Sequence, residues 1–214
     1  MDAKLRKATL RQFSARLKEE FPRFTRMPPD AVAGLGSVVY VWEVARNFCF
    51  FLELGPSQKW LDECFIIDIG WNVSREYPRA AIGKWYGGRM PPETSPFGLL
   101  RLPILYKDKW LANAEPWWYL GPEPAKLSKV EMAALRLASE GLSTEERRTA
   151  LHLALEKKRN QVTAEDESLE SRLADIPAKV ADAIQKFKEF GLPYLMNIAR
   201  AHHVQVPRTH DGSA

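Results

Sequence analysis

Residues 38–71 read VVYVWEVARNFCFFLELGPSQKWLDECFIIDIGW and contain three consecutive segments rich in β-branched and aromatic residues. The segments are Val38–Val44, Phe48–Leu54 and Cys64–Trp71, and each has the length and composition of one strand. Arg46-Asn47 forms a compact connection between the first two. We therefore predict an antiparallel β-meander as the centre of the fold.

Helical patterns lie on both sides of the meander. Residues 3–20 have apolar positions near helical spacing, with charged residues between them, which predicts an amphipathic helix. From Leu127 onward the pattern is helical again, with a capping-box sequence at Ser143-Thr144-Glu145-Glu146. Ile176-Pro177 predicts a helix start, because proline suits a first turn, and Gly191 predicts its end.

These patterns together predict an α+β fold, with an N-terminal helix and antiparallel β-meander followed by an all-helical C-terminal part. We expect an α+β sheet domain rich in tryptophan over residues 1–124, a helical region over 125–206 and a frayed tail over 207–214. The helical region has too few large apolar residues for a rich core of its own, so we expect it to pack on the sheet.

Composition favours a cytoplasmic protein. The 31 basic and 27 acidic residues give a net charge of +4 but are interspersed along the chain, so we expect no nucleic-acid partner. Only two cysteines, Cys49 and Cys64, occur in 214 residues, which favours a reducing compartment. No apolar signal segment and no run of about 20 apolar residues is visible, so we expect no membrane association.

No arrangement of residues has the spacing of a known catalytic or metal site. His202 and His203 are adjacent, so on a helix they would point about 100° apart and would not form a paired ligand set. We therefore predict no catalytic residue, no metal site and no cofactor.

Three acids embedded in the apolar segments, Glu43, Glu53 and Asp68, leave an alternative open. If the strands bring the three carboxylates onto one face, they could hold a divalent cation, and the chain would be a metal-dependent hydrolase or nuclease. The competing interpretation places each acid on the solvent side of a half-buried sheet.

Aromatic residues in loop-like sequence are the candidates for a partner-binding surface. Tryptophan and tyrosine are enriched at interface hot spots because they bury a large area and keep a polar tip. The predicted partner-binding residues are Trp85, Tyr86, Trp117, Trp118 and Tyr119.

Four short motifs combine aromatic, apolar, glycine and proline residues. They are Phe21-Pro22-Arg23-Phe24, Phe50–Leu54, Phe65–Trp71 with Tyr77-Pro78, and Phe190-Gly191-Leu192-Pro193-Tyr194-Leu195. Together they resemble the motifs of a family of bacterial proteins with a domain of unknown function. Proteins similar to these often sit beside secreted antibacterial toxins. The resemblance implies an immunity protein that binds and neutralises a cognate toxin, and it implies no catalytic residue.

Overall fold

The computed structural model describes residues 2–32, 37–56, 64–81, 90–106, 118–120, 129–143, 146–147, 149–151, 153–154 and 168–207. These residues form an α+β fold with an N-terminal helix, an antiparallel sheet and C-terminal helices, so the predicted fold class is confirmed. None of the helices among them combines the length and apolar character that a membrane crossing requires.

The regular elements follow one another in the predicted order. The strands are β1 Thr25–Arg26, β2 Val38–Ala45, β3 Phe48–Pro56, β4 Cys64–Asn72, β5 Phe97–Arg101 and β6 Trp118–Tyr119. The helices are α1 Ala3–Glu20, α2 Lys129–Ala138, α3 Leu169–Lys186 and α4 Leu192–Ala201. Short 3-10 segments cover Pro29–Val32, Arg79–Ala81 and Leu102–Leu105, and residues between 146 and 154 are also helical where described.

The sheet is the predicted antiparallel meander. Its strand order is β1-β2-β3-β4-β5, and β6 pairs with the beginning of β4. The β2–β3 turn places Asn47 at φ 62°, a left-handed conformation that asparagine tolerates better than most residues. The turn consists of the two residues between Ala45 and Phe48, as the sequence predicts.

One face of the sheet carries the main hydrophobic core. Strand alternation points Phe50, Leu52 and Leu54 of β3 to this face, and α1, α3 and α4 cover it. The fit is close, because a Cβ added at Gly98 of β5 would overlap the ring of Trp71. Only glycine allows β5 to pack beside that indole.

The opposite face, which we call the acid face, carries a second and smaller apolar cluster. It displays Glu43 of β2, Glu53 of β3 and Asp68 of β4, because strand alternation directs them away from the main core. The segment Val73–Ala81, which we call the cover segment, places Tyr77 in this cluster. The cluster consists of Met27, Val39, Cys49, Phe51, Tyr77, Ala81 and Leu99.

The predicted helix boundaries at Pro177 and Gly191 are both wrong. Pro177 lies inside α3, and α3 continues through a π-helical segment, Phe187–Gly191, into α4. The apolar stripe that includes Val180 and Ile184 is fully buried, and this burial outweighs the local cost of the proline. Gly191 is required by packing, since a Cβ there would lie 2.6 Å from Cδ2 of Phe187.

The helices differ in how far they join the sheet. α3 and α4 share the main core with the strands, whereas no described residue of α2 belongs to it. At the end of the described chain, Arg23 Nη1 donates a hydrogen bond to the Pro207 carbonyl at 2.9 Å. The rest of the predicted tail, residues 208–214, lies outside the described residues.

Candidate functional site

The structure brings together two of the three predicted acids. Glu53 lies directly opposite Asp68 across β3 and β4, so the two side chains leave the acid face side by side. Glu53 also lies opposite Val39 on β2. Glu43 is four residues further along β2, so it lies roughly 13 Å from Val39 along the strand. The alternative prediction that all three acids form one site is therefore wrong. Among the described residues, no group of three His, Cys, Asp or Glu side chains could hold a metal ion.

The competing expectation, that all three acids face solvent, holds only for Glu43. Glu53 and Asp68 are 9% and 4% exposed, because this face of the sheet has its own apolar cluster. Alternation assigns the acids correctly to one face, but the prediction that this face is solvated is wrong for the pair.

The two buried carboxyl groups have different partners. The Tyr77 hydroxyl donates to Glu53 Oε2 and the Ser37 hydroxyl donates to Glu53 Oε1. No donor of the described chain reaches Asp68 Oδ1. Arg101, opposite Asp68 on β5, has its Nε at 3.9 Å from that oxygen. Asp68 thus faces one positive charge without a hydrogen bond to Oδ1.

The environment of Asp68 favours its protonated form. Burial raises the pKa of Asp68 to about 7, the Arg101 guanidinium opposes this rise, and the nearby Glu53 carboxylate adds to it. Burial is the largest of the three effects, because a carboxylate loses its hydration in the low-dielectric interior. Asp68 therefore gains or loses its proton near neutral pH.

Glu43 holds the cover segment at a second point. Arg75 donates from Nη2 and Nε to Glu43 Oε1, at 2.7 and 3.0 Å. Cys49 lies opposite Glu43 on β3, and burial first, then Glu43, raises the pKa of this thiol to about 11 while Arg75 lowers it. Cys49 is thus a protonated, buried thiol at neutral pH and not an activated nucleophile.

A cleft lies beside the cover segment. It has a volume of about 630 Å³, and its walls include Met27, Asn72, Tyr77 and Phe97. Tyr77 lines this cleft and also donates to Glu53, so its side chain stands between the cleft and the carboxyl pair.

The predicted aromatic surface is not formed by Trp118. The prediction that Trp118 lies in an exposed loop is wrong, because it is 7% exposed and belongs to β6. Its ring stacks on Phe65, with centroids 5.5 Å apart, and its Nε1 donates to Asp182 Oδ2 at 2.8 Å. Tyr119 is half-buried beside it. The other three predicted residues, Trp85, Tyr86 and Trp117, lie outside the described residues.

An apolar surface that the sequence interpretation did not single out lies on α2. Val130 and Leu137 are 79% and 67% exposed, and seven residues, about two turns, separate them on one helix face. Leu153 is also 57% exposed. A helical apolar stripe was visible in the sequence, but its period alone does not say whether the stripe faces the core or solvent.

Comparisons with models of known families, with curated proteins and with solved structures found no match to this chain. The likeness to a family with a domain of unknown function stays a prediction.

Proposed function

We propose that this chain is a non-enzymatic, cytoplasmic protein-binding protein, and most concretely an immunity protein that neutralises a cognate bacterial toxin. The observation that carries the proposal is the apolar face of α2 with its exposed Val130 and Leu137. The resemblance of the strand and helix motifs to proteins found beside antibacterial toxins supports the choice of partner.

The α2 face has the features of a recognition surface. Ala133 and Ala134 lie between Val130 and Leu137 and are exposed as well, so the apolar strip continues over two turns. Full burial of a valine or leucine side chain contributes about 1.5–3 kcal/mol. Contiguous apolar side chains left in water mark surfaces that a protein partner covers.

Binding by occlusion needs such a surface and no reacting group. The alternative, a metal-dependent hydrolase or nuclease using Glu43, Glu53 and Asp68, is less well supported. Glu43 lies apart from the other two acids, and the Arg101 guanidinium already faces Asp68.

The test begins with a pull-down by the tagged full-length chain from a lysate of the source cell, with nuclease and with EDTA in parallel samples. The captured protein is then produced alone and together with the chain. We expect one stoichiometric partner that survives both treatments, arrests growth when produced alone and is harmless when the chain is present.

Matched serine variants show whether α2 is the binding surface. We expect Val130→Ser combined with Leu137→Ser to lose both capture and protection. The control is Val73→Ser, which changes a 40% exposed valine of the cover segment and should keep both. A captured partner that is not toxic contradicts the proposed immunity function. Full capture by the Val130→Ser, Leu137→Ser variant contradicts the proposal that α2 is the binding surface.

A further inference from the structure

Among the described residues, the two carboxyl groups of the acid face have less positive charge beside them than full ionisation would need. Glu53 and Asp68 are both buried, and Arg101 is the cation that faces Asp68 in the described chain. Two carboxylates directly opposite each other repel, and a buried charge without a counter-charge is costly. One proton on the pair removes the excess charge.

The hydrogen bonds indicate which group carries that proton. Both carboxylate oxygens of Glu53 accept hydrogen bonds from hydroxyl groups, one from Tyr77 and one from Ser37. Asp68 Oδ1 receives none from the described residues, so Asp68 is the better proton carrier. In the part of the chain that the structure describes, the titratable and charged groups that face Asp68 are Glu53 from β3 and Arg101 from β5, and Tyr77 of the cover segment contacts Glu53.

The same acids hold the cover segment in place. Tyr77 is bonded to Glu53 and packs edge-on against Phe51, with ring centroids 5.8 Å apart. Two residues earlier, Arg75 forms its ion pair with Glu43. Beneath these contacts Cys49 is fully buried. Lifting of the cover segment therefore removes the contacts over Cys49 and over the Glu53 side of the carboxyl pair.

We propose that a proton on Asp68, beside the carboxyl group of Glu53, acts as a latch that keeps the cover segment Val73–Ala81 closed over the acid face. When the proton leaves, the closed state holds two buried like charges, whereas an open state hydrates both. Proton loss therefore favours opening, which uncovers the apolar cluster around Phe51 and the thiol of Cys49.

The direction and range of the pH effect follow from linkage. In the closed state the pKa of Asp68 is raised to about 7 by burial, and in a hydrated open state it returns toward the ordinary value of about 4. Between these two values the closed state binds a proton that the open state does not. The ratio of open to closed molecules rises with pH by up to about tenfold per unit across this range. It levels off above about pH 7.

Thiol labelling of the full-length chain measures this opening. The probe is 4,4′-dithiodipyridine, and mass spectrometry reads the extent of labelling of the Cys49 and Cys64 peptides separately. Each rate is divided by the rate of Asp68→Asn in the same buffer, because this division cancels the intrinsic pH dependence of thiol chemistry. For Cys49 we expect the ratio to rise about fiftyfold from pH 5 to pH 7 and to level off about twofold higher above pH 7.

Cys64 is the internal reference, since it lies at the opposite end of β4, where that strand pairs with β6. Its labelling ratio should stay flat. A flat ratio for Cys49 overturns the latch. A parallel rise for Cys64 overturns it as well, because the whole sheet would then be opening.

Further variants keep the test decisive if Asp68→Asn does not fold. Glu53→Gln removes the smallest of the three effects on Asp68 and leaves Asp68 buried, so it should move the pH dependence to lower pH without abolishing it. Tyr77→Phe keeps the ring and loses the donor, so Cys49 should be labelled faster at every pH. Glu43→Gln is the matched control outside the pair and should speed labelling without changing its pH dependence. An unchanged rate for Tyr77→Phe, or loss of the pH dependence in Glu43→Gln, contradicts the proposal.

Discussion

At Trp118 one side chain joins the sheet to the helical layer. Its indole N–H donates to Asp182 of α3, and its ring lies on Phe65 of β4. Trp118→Phe keeps an aromatic ring on Phe65 but removes the donor. We expect Trp118→Phe and Asp182→Ala each to lower the free energy of unfolding. In a double-mutant cycle their coupling should be about 1 kcal/mol, measured by urea denaturation.

Asp175→Ala is the matched control for this cycle. Asp175 also lies on α3, and its partner is Lys179 at 3.9 Å, a surface pair of little energetic worth. It should show no coupling to Trp118→Phe. If the cycle with Asp182 also gives no coupling, Trp118 does not tie the sheet to α3 in solution.

The error at Trp118 shows where residue-level prediction from sequence stops. Pro116 and the surrounding composition favour a loop, and the residues that bury the indole, Phe65 and Asp182, are more than 50 positions away on either side. The acid face shows the same limit. Alternation predicts that Glu53 and Asp68 can share a face, but only the β3–β4 register makes them direct neighbours.

Among the elements, α3 is the one whose course differs most from its sequence pattern. Pro177 lies in its ninth position, where it removes one main-chain hydrogen bond and crowds the preceding turn. A proline inside a helix destabilises the folded state by about 3 kcal/mol. It also restricts the unfolded chain, which stabilises the protein by about 1 kcal/mol. Pro177→Ala should therefore stabilise the protein by about 2 kcal/mol and raise Tm by about 4–8 °C, as measured by calorimetry.

Pro193→Ala is the control for this element. Pro193 directly follows the π-helical segment, where hydrogen bonds between residues five apart replace the regular α-helical pattern, so this proline interrupts less of that pattern than Pro177 does. Its replacement should leave Tm within about 2 °C, because only the small unfolded-state effect remains. A lower Tm for Pro177→Ala would contradict the view that the proline strains α3.

The elements that could be predicted are those whose pattern agrees with their packing. The meander has β-rich segments and polar connections, and α1 has Leu5, Phe13 and Leu17 on one buried stripe, so local and long-range preferences coincide there. In α3 they conflict. Proline and glycine signal breaks, but burial of Val180 and Ile184 and the fit of Gly191 against Phe187 decide the outcome, and neither contact is visible in the sequence.

At the scale of the molecule, packing is uneven among the described residues, and the proposed functions lie where it is less extensive. The main core joins the sheet, α1, α3 and α4. The acid face has the smaller cluster beneath the cover segment, and α2 leaves Val130 and Leu137 largely exposed. Recognition surfaces and moving segments generally come from such regions, because opening or rearranging them does not require global unfolding.

Native-state hydrogen exchange of the full chain tests this distribution directly. Amides of α3 around Val180 and Ile184 should exchange only through global unfolding, because these side chains are fully buried in the main core. Amides of α2 around Leu135 should exchange at least about a hundredfold faster, since none of the α2 side chains that the structure describes joins that core. A low concentration of urea should accelerate amide exchange in α3 and leave exchange in α2 almost unchanged, because local opening exposes little new surface.

Equal protection of the amides in α2 and α3 would mean that α2 unfolds together with the core and that its apolar face is stabilised without a partner. Selective slowing of α2 upon addition of a captured partner would instead indicate that the partner covers this helix.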